Sequence, residues 1–431
     1  MTFHKRTIRD IDLKGKQVLL RADYNVPIRA DGEIAGDFRL QESLPTLQYL
    51  IKHGCKVVIC SHMGRPTSKH DKHCSLKPVA KHLQKLLGKP VAFAEDCIGP
   101  LAEKAAAELK AGDVLLLENL RFHPEEEAND PNFAKALARL GAVFVQDGFG
   151  VVHRAHASTE AITHELPSVA GLLLEKEVVT LDQVMSQPKR PLMAIIGGAK
   201  IADKLEVLER FIDIADFVAV GGAMANTFLQ AQGLDIGKSM SEPKDLPLAR
   251  KIMEQAHKKA KKQPFIFYLP QDGVVATSLD RQAHTRLVDW QAHVTADIEH
   301  YPKQPPHAAS EIKADEAIYD IGPFSSSFIA GGIQLTNTVI WNGTLGVTEV
   351  EATSGRGPIG PFAHGTEVIV EALMGQGGHR PFSVVGGGDT VSYVENRKLT
   401  DSFSHVSTGG GACLDLMSGK KMPGIEALQN K

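Results

Sequence analysis

Short apolar runs rich in β-branched residues alternate along most of this chain with longer stretches whose apolar residues recur at helical spacing. This alternation is typical of βαβ units, in which helices connect parallel strands. The strand candidates are KQVLLRADYN, KVVICSH, VAFAED, DVLLLENLRF and AVFVQDGFG in the first half, and PLMAIIGGAK, FVAVGGAM, FIFYLPQD, TVIWNG and FSVVGGGDT in the second. The pattern predicts an α/β fold with two doubly wound, Rossmann-like parallel-sheet domains.

The stretch GLLLEKEVVTLDQVMSQPKRP lies between the two sets of strand candidates. Its apolar residues have helical spacing and it ends in a proline-containing break, so we interpret it as an interdomain helix. A chain of 431 residues also exceeds what one ordinary core supports. We therefore place the domains at 1–186 and 187–406.

The charge balance and the cysteines restrict the class of protein. With 48 basic and 51 acidic residues the net charge is −3, which does not predict binding to nucleic acid or to a membrane surface. The five cysteines contain no C-x-x-C pair, and we find neither a signal peptide nor a long apolar run. We expect a reduced, cytoplasmic protein.

Arginines follow the strand candidates of the first half. Ligands of open α/β sheets bind beyond the carboxyl ends of the strands, and arginine binds phosphate and carboxylate oxygens bidentately. These arginines are Arg21, Arg39, Arg65, Arg121 and Arg154. Any one of them could be a solvated surface residue, but together at one sheet edge they favour a small ligand with several negative charges.

Glycine-rich strand ends mark the second half, in IIGGAKIADK, VGGAMANTF, VVGGGDTV and HVSTGGGA. Backbone N–H groups in such turns suit phosphate chains, and Lys200 and Lys204, four residues apart, can share one helix face. Glycine also simply terminates strands. The four segments together, with Asp389 nearby, favour a nucleotide site.

Three other motifs do not predict a site. GLDIGKS has one residue too few between its glycines for a Walker loop and does not follow a strand. The histidines of HRAH (153–156) and KHDKHC (69–74) lack further ligands at metal-site spacing, so we expect solvated loop histidines.

The ordered set of motifs resembles the phosphoglycerate kinase family from about residue 17 to the C-terminus. The motifs are RADYNVP, SHMGRP, LLENLRFHPEEE, DGFGVVHRAHAST, GGAKIADK, LPQD, DIGP, VIWNG, GGGDT and SHVSTGGGA. The resemblance implies a cytoplasmic, monomeric enzyme that reversibly transfers a phosphoryl group from 1,3-bisphosphoglycerate to MgADP by closing its domains. It also implies that the tail, about 407–431, returns to the N-terminal domain.

The resemblance also implies roles for individual residues. The contacts with 3-phosphoglycerate would come from Asp23, Tyr24, Asn25, Arg39, His62, Met63, Gly64, Arg65, Arg121 and Arg154. The catalytic residues would be Arg39 and Lys200, which lie near the transferring phosphoryl group. The nucleotide would be held by Lys204, Glu349, Gly387, Gly388, Asp389 and Thr390, and Asp389 would also bind Mg²⁺.

Some residues of the second half depart from the family pattern. Thr344 and Thr348 stand where the family usually has proline and phenylalanine, and Ala223 and Asn226 also differ. Residues 281–316 form a longer segment than in the family. These departures leave the nucleotide preference open. Two rival functions are a glycosyltransferase that binds a nucleotide sugar and a binding protein that has lost catalysis.

Overall fold

The computed structural model describes residues 3–29, 31–68, 71–290, 311–351 and 359–431. The chain divides into two compact units. Unit 1 contains Met1–Gln183 together with Thr408–Lys431, and unit 2 contains Val184–Ser407. The boundary that the sequence analysis placed at 186/187 lies slightly later in the chain than the division between the two units. It falls at the end of the helix that we interpreted as interdomain.

Unit 1 is built around a six-stranded parallel sheet with the strand order β3-β4-β2-β1-β5-β6. Its strands are β1 (Gln17–Arg21), β2 (Lys56–Cys60), β3 (Val91–Ala94), β4 (Val114–Leu117), β5 (Val143–Gln146) and β6 (Ser168–Ala170). Its helices are α1 (Phe38–Lys52), α2 (Lys77–Leu87), α3 (Gly99–Ala107), α4 (Pro131–Ala138) and α5 (Leu172–Ser186), followed after unit 2 by α12 (Gly410–Met417) and α13 (Pro423–Glu426).

Alternate residues of the central strands in unit 1 pack into different cores. Val18 and Leu20 of β1 belong to one hydrophobic cluster, and Leu19 belongs to another. Successive side chains of a strand point to opposite faces, so the sheet is covered by helices on both sides. This two-sided burial explains why the strands are almost continuous apolar runs in the sequence.

Unit 2 contains a second six-stranded parallel sheet, with the strand order β15-β14-β13-β7-β8-β9. Its strands are β7 (Leu192–Ile196), β8 (Phe217–Val220), β9 (Ile266–Tyr268), β13 (Thr338–Asn342), β14 (Phe382–Gly386) and β15 (His405–Val406). Its helices are α6 (Leu205–Ile214), α7 (Gly222–Ala231), α8 (Leu246–Ala260), α9 (Pro323–Gln334), α10 (His364–Leu373) and α11 (Gly388–Asn396). The predicted α/β class with two doubly wound sheets is confirmed.

A small antiparallel sheet in unit 2 was not predicted. Its strands are β10 (Asp272–Ala276), β11 (Arg286–Asp289) and β12 (Ala317–Ile321), in the order β11-β10-β12. Strand β11 lies inside the long 281–316 segment, of which residues 291–310 fall outside the described part. No helix among the described residues is long and apolar enough to cross a membrane.

Each large sheet has one point at which the strand order reverses. In unit 1 this point lies between β1 and β5, and in unit 2 it lies between β7 and β13. Connections run in opposite directions from such a point and leave a crevice beyond the strand ends, where ligands of doubly wound proteins bind. The topology therefore indicates one candidate site in each unit.

Candidate active-site residues

A polar cleft of about 400 Å³ opens beyond the β1 and β5 ends of unit 1. It is lined by Asp23, Asn25, Arg39, His62, Gly64, Arg65, Arg121, Gly150, Val151, His153, Arg154, Gly410 and Gly411. Four of the five arginines singled out in the sequence converge here. So much positive charge in one cleft suits a small ligand with more than one anionic group.

Arg39 lies in the first turn of α1, whereas the sequence analysis placed it in a loop at a strand end. Phe38, the first residue of this helix, is buried. The Arg39 Nη1 donates a hydrogen bond to the Asn25 carbonyl oxygen at 2.7 Å and lies 3.3 Å from Asp23 Oδ1. These contacts hold the guanidinium beside the cleft while leaving other donors for a ligand.

Arg121 follows β4 in a short 3₁₀ turn and is tied to the loop after β2. Its Nη1 donates to the Gly64 carbonyl oxygen at 2.8 Å, and Gly64 N donates to Asn25 Oδ1 at 2.9 Å. Burial lowers the pKa of Arg121; Glu127, whose Oε1 lies 3.0 Å from Arg121 Nε, opposes this shift, and the charges of Arg21 and Arg154 add to it. An incoming anion would relieve this repulsion.

His62 is almost fully buried at the floor of the cleft. Burial lowers its pKa well below the ordinary value, and the neighbouring charges of Arg21, Arg121 and Arg39 act in the same direction. The imidazole is therefore neutral at physiological pH. It can serve as a hydrogen-bond donor without adding a further charge.

Tyr24, Met63 and Arg21 do not line the cleft. Tyr24 and Met63 belong to the hydrophobic core, and the Tyr24 hydroxyl is 2.9 Å from Ser43 Oγ. The Arg21 side chain is only 1% exposed. The expectation that Arg21 lines the ligand site with the other arginines is therefore wrong. Any contact of Tyr24 or Met63 with a ligand would have to come from the main chain.

Two histidines of the HRAH motif differ from their predicted solvated state. His153 lines the cleft beside Arg154, whose Nε donates to His153 Nε2 at 3.1 Å. His156 is buried, and burial together with Arg21 and Arg121 lowers its pKa to about 4. Their position after β5, at the strand-order reversal, was the signal in the sequence that could have identified them.

A cavity of about 300 Å³ lies beyond the β7 and β13 ends of unit 2. Gly198, Thr344, Glu349 and Asp389 are among its lining residues. The strand ends meet tightly here, since a Cβ added to Gly197 would lie 2.0 Å from the Thr344 carbonyl oxygen. Only glycine permits this close approach of the two strand ends.

Lys204 is held at the mouth of these strand ends by oxygen acceptors. Its Nζ donates to the Gly197 carbonyl oxygen at 2.6 Å and to Asn342 Oδ1 at 2.8 Å. Burial lowers the pKa of Lys204 to about 8, although the nearby Asp389 raises it. Asn342 Nδ2 is buried with no hydrogen-bond partner among the described residues. Asn342 stood in the VIWNG motif, yet we did not predict it as a site residue.

The GGGDT segment forms the turn from β14 into α11. Gly387 has a φ of +92° and precedes the helix, and Gly388 and Asp389 are exposed in its first turn. Glycine adopts this positive φ without strain. Thr390 is buried, and its Oγ1 accepts a hydrogen bond from Gly343 N at 2.7 Å.

The remaining predicted residues of unit 2 differ in their position relative to the cavity. Glu349 is exposed and lines it, whereas Lys200 is exposed on the loop after β7 and is not a lining residue. Of the departures from the family pattern, Ala223, Asn226 and Thr344 line the cavity. Thr348 does not.

Known proteins resemble this chain over nearly its full length. The model of the phosphoglycerate kinase family matches residues 8–420. Phosphoglycerate kinase of Moorella thermoacetica is 44% identical over 427 residues, which are 99% of this chain and 100% of the relative. Phosphoglycerate kinase of Chloroflexus aurantiacus is 43% identical over 429 residues, which are 99% of each chain.

Solved structures agree with the sequence comparisons. The structure of phosphoglycerate kinase from Pyrococcus horikoshii has a TM-score of 0.80 at 30% identity, and that from Coxiella burnetii has a TM-score of 0.76 at 34% identity. Each alignment covers 98% of both chains. The resemblance inferred from the motifs is confirmed, and the chain belongs to the phosphoglycerate kinase family.

Proposed function

We propose that this chain catalyses reversible phosphoryl transfer from 1,3-bisphosphoglycerate to ADP, giving 3-phosphoglycerate and ATP. The observation that carries the proposal is the convergence of Arg39, Arg65, Arg121 and Arg154 on one cleft of unit 1. A phosphorylated acid has two anionic ends, and a set of arginine side chains can bind both. The nucleotide would bind to the glycine-rich cavity of unit 2.

In unit 1, the ligand would supply further negative charge to a cleft that is lined by four arginines and a single acidic residue, Asp23. Arg65 is exposed and free to bind a phosphate, while Arg121 is already oriented by Gly64. Asp23 and Asn25 would orient Arg39 and the glycerate hydroxyl, and His62 would donate a hydrogen bond. Tyr24, Met63 and Gly64 would contribute through their main chain.

In unit 2, phosphate oxygens would take the place of the present acceptors of Lys204. The unpartnered Asn342 Nδ2 and the main chain at Gly387 and Gly388 would supply further donors, because helix N-termini bind anions. Glu349 would bind the ribose. The buried Thr390 Oγ1 accepts a hydrogen bond from Gly343 N. We propose that Thr390 fixes this turn for phosphate binding, or that its hydroxyl donates a hydrogen bond to a phosphate oxygen.

The residues of unit 2 also fit a Mg²⁺ ion carried by the nucleotide. Mg²⁺ keeps several waters and is commonly bound by one or two carboxylates together with substrate phosphates. Asp389 offers one exposed carboxylate at the cavity edge, in the first turn of α11. Bound there, the ion would neutralise charge on the phosphate chain.

Catalysis would consist of positioning and charge stabilisation. The transferring phosphoryl group spreads negative charge over its equatorial oxygens, so positive groups held at the right distance lower the barrier. Arg39 from unit 1 and the exposed Lys200 from unit 2 would supply them. Because the two reactants bind to different units, we propose that the units close during turnover and exclude water that would hydrolyse the acyl phosphate.

We further propose that the enzyme acts as a monomer in the cytoplasm. This proposal rests on membership of the phosphoglycerate kinase family, which the family model and the relatives show.

Calorimetry with 3-phosphoglycerate and with ADP in separate titrations tests whether the two ligands bind to different units. Arg65→Met should weaken binding of 3-phosphoglycerate on the order of ten-fold and leave ADP affinity unchanged, since it removes one charge-assisted contact. Glu349→Gln should weaken ADP alone. Arg139→Met, at an exposed position of unit 1, is the matched control. Failure of the wild type to bind 3-phosphoglycerate, or binding of a UDP-sugar to unit 2 instead of ADP, would contradict the proposal.

A further inference from the structure

A buried carboxylate lies behind the unit 1 cleft without lining it. Glu126 is fully buried, and its Oε1 accepts a hydrogen bond from Ser158 Oγ at 2.6 Å. Its Oε2 accepts a hydrogen bond from Ser158 N at 3.0 Å. A buried carboxylate is costly unless it is paired, so its presence beside a ligand site requires an explanation.

Arg21 connects this carboxylate to the cleft. Its Nε donates to Ser158 Oγ at 2.8 Å, and its Nη2 lies 3.9 Å from Glu126 Oε1. The same Nη2 is 3.3 Å from Nδ1 of His62, which lines the cleft. Glu126, Ser158, Arg21 and His62 thus form one continuous polar chain from the core to the ligand site.

The chemistry of arginine determines the tautomer of His62. A guanidinium only donates hydrogen bonds, so His62 Nδ1 must accept and its proton must lie on Nε2. An alternative exists, because His62 Nδ1 is also 3.9 Å from Asp23 Oδ1. If Arg21 were displaced, a small movement of the ring could bring an Nδ1–H group within hydrogen-bond distance of Asp23. The position of Arg21 therefore selects between two tautomers.

We propose that Glu126 is a positioning residue for substrate binding: it balances and orients Arg21, which keeps His62 as the Nε2–H tautomer that donates to the phosphorylated acid. The identity of the ligand rests on the proposed function. The effect of Arg21 on the tautomer of His62 does not depend on it. Glu126 would act entirely through other residues, without touching the substrate.

The first test is the tautomer of His62 in Glu126→Gln, observed by long-range ¹H–¹⁵N correlation spectra of the ligand-free protein. His62→Gln identifies the His62 signals. We expect a single Nε2–H tautomer in the wild type and a mixture in Glu126→Gln. Glu103→Gln removes a carboxylate from a partly exposed ion pair of the same unit and should leave the spectrum unchanged.

The second test is calorimetric. Glu126→Gln should weaken 3-phosphoglycerate binding on the order of ten-fold, comparable to the loss of one hydrogen bond to a charged group, and should not alter ADP binding. If this variant does not fold, the double variant Arg21→Met with Glu126→Leu removes both buried charges and replaces them by apolar groups. It should show the same mixed tautomers and weakened binding.

The outcomes separate this inference from the proposed function. A wild type in which His62 carries its proton on Nδ1 would overturn the inference. Folded variants with an unchanged tautomer and an affinity within two-fold of the wild type would overturn it as well. If the wild type bound no 3-phosphoglycerate, the proposed function would fail, while the ligand-free spectra would still decide the tautomer.

Discussion

Lys204 Nζ donates a 2.8 Å hydrogen bond to Oδ1 of Asn342, whose own Nδ2 is buried without a partner among the described residues. Together they place a positive charge and an unused donor at the reversal point of the unit 2 sheet. An anion at this position would satisfy both groups. We therefore propose that this pair binds a phosphate group of the nucleotide.

The charge of Lys204 predicts how nucleotide binding depends on pH. Because burial lowers its pKa to about 8, the ammonium is charged below that pH and increasingly neutral above it. Phosphate favours the charged form, so the Kd for ADP should rise up to about ten-fold for each pH unit above 8. Titration calorimetry between about pH 7 and pH 10 measures this.

Lys204→Arg is the control for that experiment, since a guanidinium remains charged throughout the range. The pH dependence of its ADP affinity should be flat. A wild-type Kd that does not change up to about pH 10 would show that Lys204 does not bind the phosphates as a cation.

Arg39→Ala tests the proposed catalytic charge of unit 1. We expect kcat to fall by a factor on the order of 10² to 10³, the usual loss for one preorganised donor, with a smaller change in KM. Steady-state kinetics in both directions measure the two parameters. Arg139→Ala, which removes an exposed arginine from an ion pair with Glu103, should have no effect. An unchanged kcat in Arg39→Ala rejects the assigned role.

Asp389→Asn tests the predicted metal ligand. Loss of the carboxylate should raise the KM for MgADP by about ten-fold or more and leave the Kd for 3-phosphoglycerate unchanged. Asp401→Asn changes another exposed acid of unit 2 that does not line the cavity and serves as the control. Weaker binding of 3-phosphoglycerate together with normal MgADP kinetics would contradict the assignment of Asp389 to the nucleotide site.

Asp147 predicts a pH dependence of stability in unit 1. Its Oδ1 accepts hydrogen bonds from Leu173 N and Leu174 N, and burial raises its pKa from 3.8 to about 7. The folded state therefore holds a proton that the unfolded state releases. The resulting stabilisation is present below about pH 4 and is lost as the pH rises to about 7.

Asp147→Asn isolates this contribution, because asparagine does not titrate. The free energy of unfolding of the wild type relative to the variant should fall by roughly 1 kcal/mol for each pH unit between about pH 4 and pH 7. Hydrogen exchange of the β1 and β5 amides measures this free energy of unfolding for unit 1. A difference that stays constant over this range contradicts the prediction.

The fold was largely predictable because its central strands are buried on both faces. The ten strand candidates all contain strands of the two parallel sheets. Strand β11 of the antiparallel sheet was missed because its sequence, RLVD, is four residues long with one fully buried residue, too weak a pattern to recognise. Strand β10, DGVVA, is buried throughout, and this explanation does not apply to it. Short, partly exposed strands depend on tertiary contacts rather than on their own sequence.

The candidate cleft was predictable at the level of sheet edges and less so for single side chains. Asp23 and Asn25 line the cleft, while Tyr24 between them points into the core, as expected where successive residues of an extended chain face opposite sides. The sequence does not show which face meets the ligand. Arg21 was misassigned for this reason, and the buried state of His156 depends on a loop without any periodic pattern.

The most direct test of the central claim is the formation of ATP by the purified protein from 1,3-bisphosphoglycerate and MgADP, measured in a coupled assay. Circular dichroism of the same sample establishes that the protein is folded. We predict sustained turnover that depends on both substrates and is reduced by Arg39→Ala and by Asp389→Asn. Folded wild-type protein that binds 3-phosphoglycerate and ADP but forms no ATP would contradict the account.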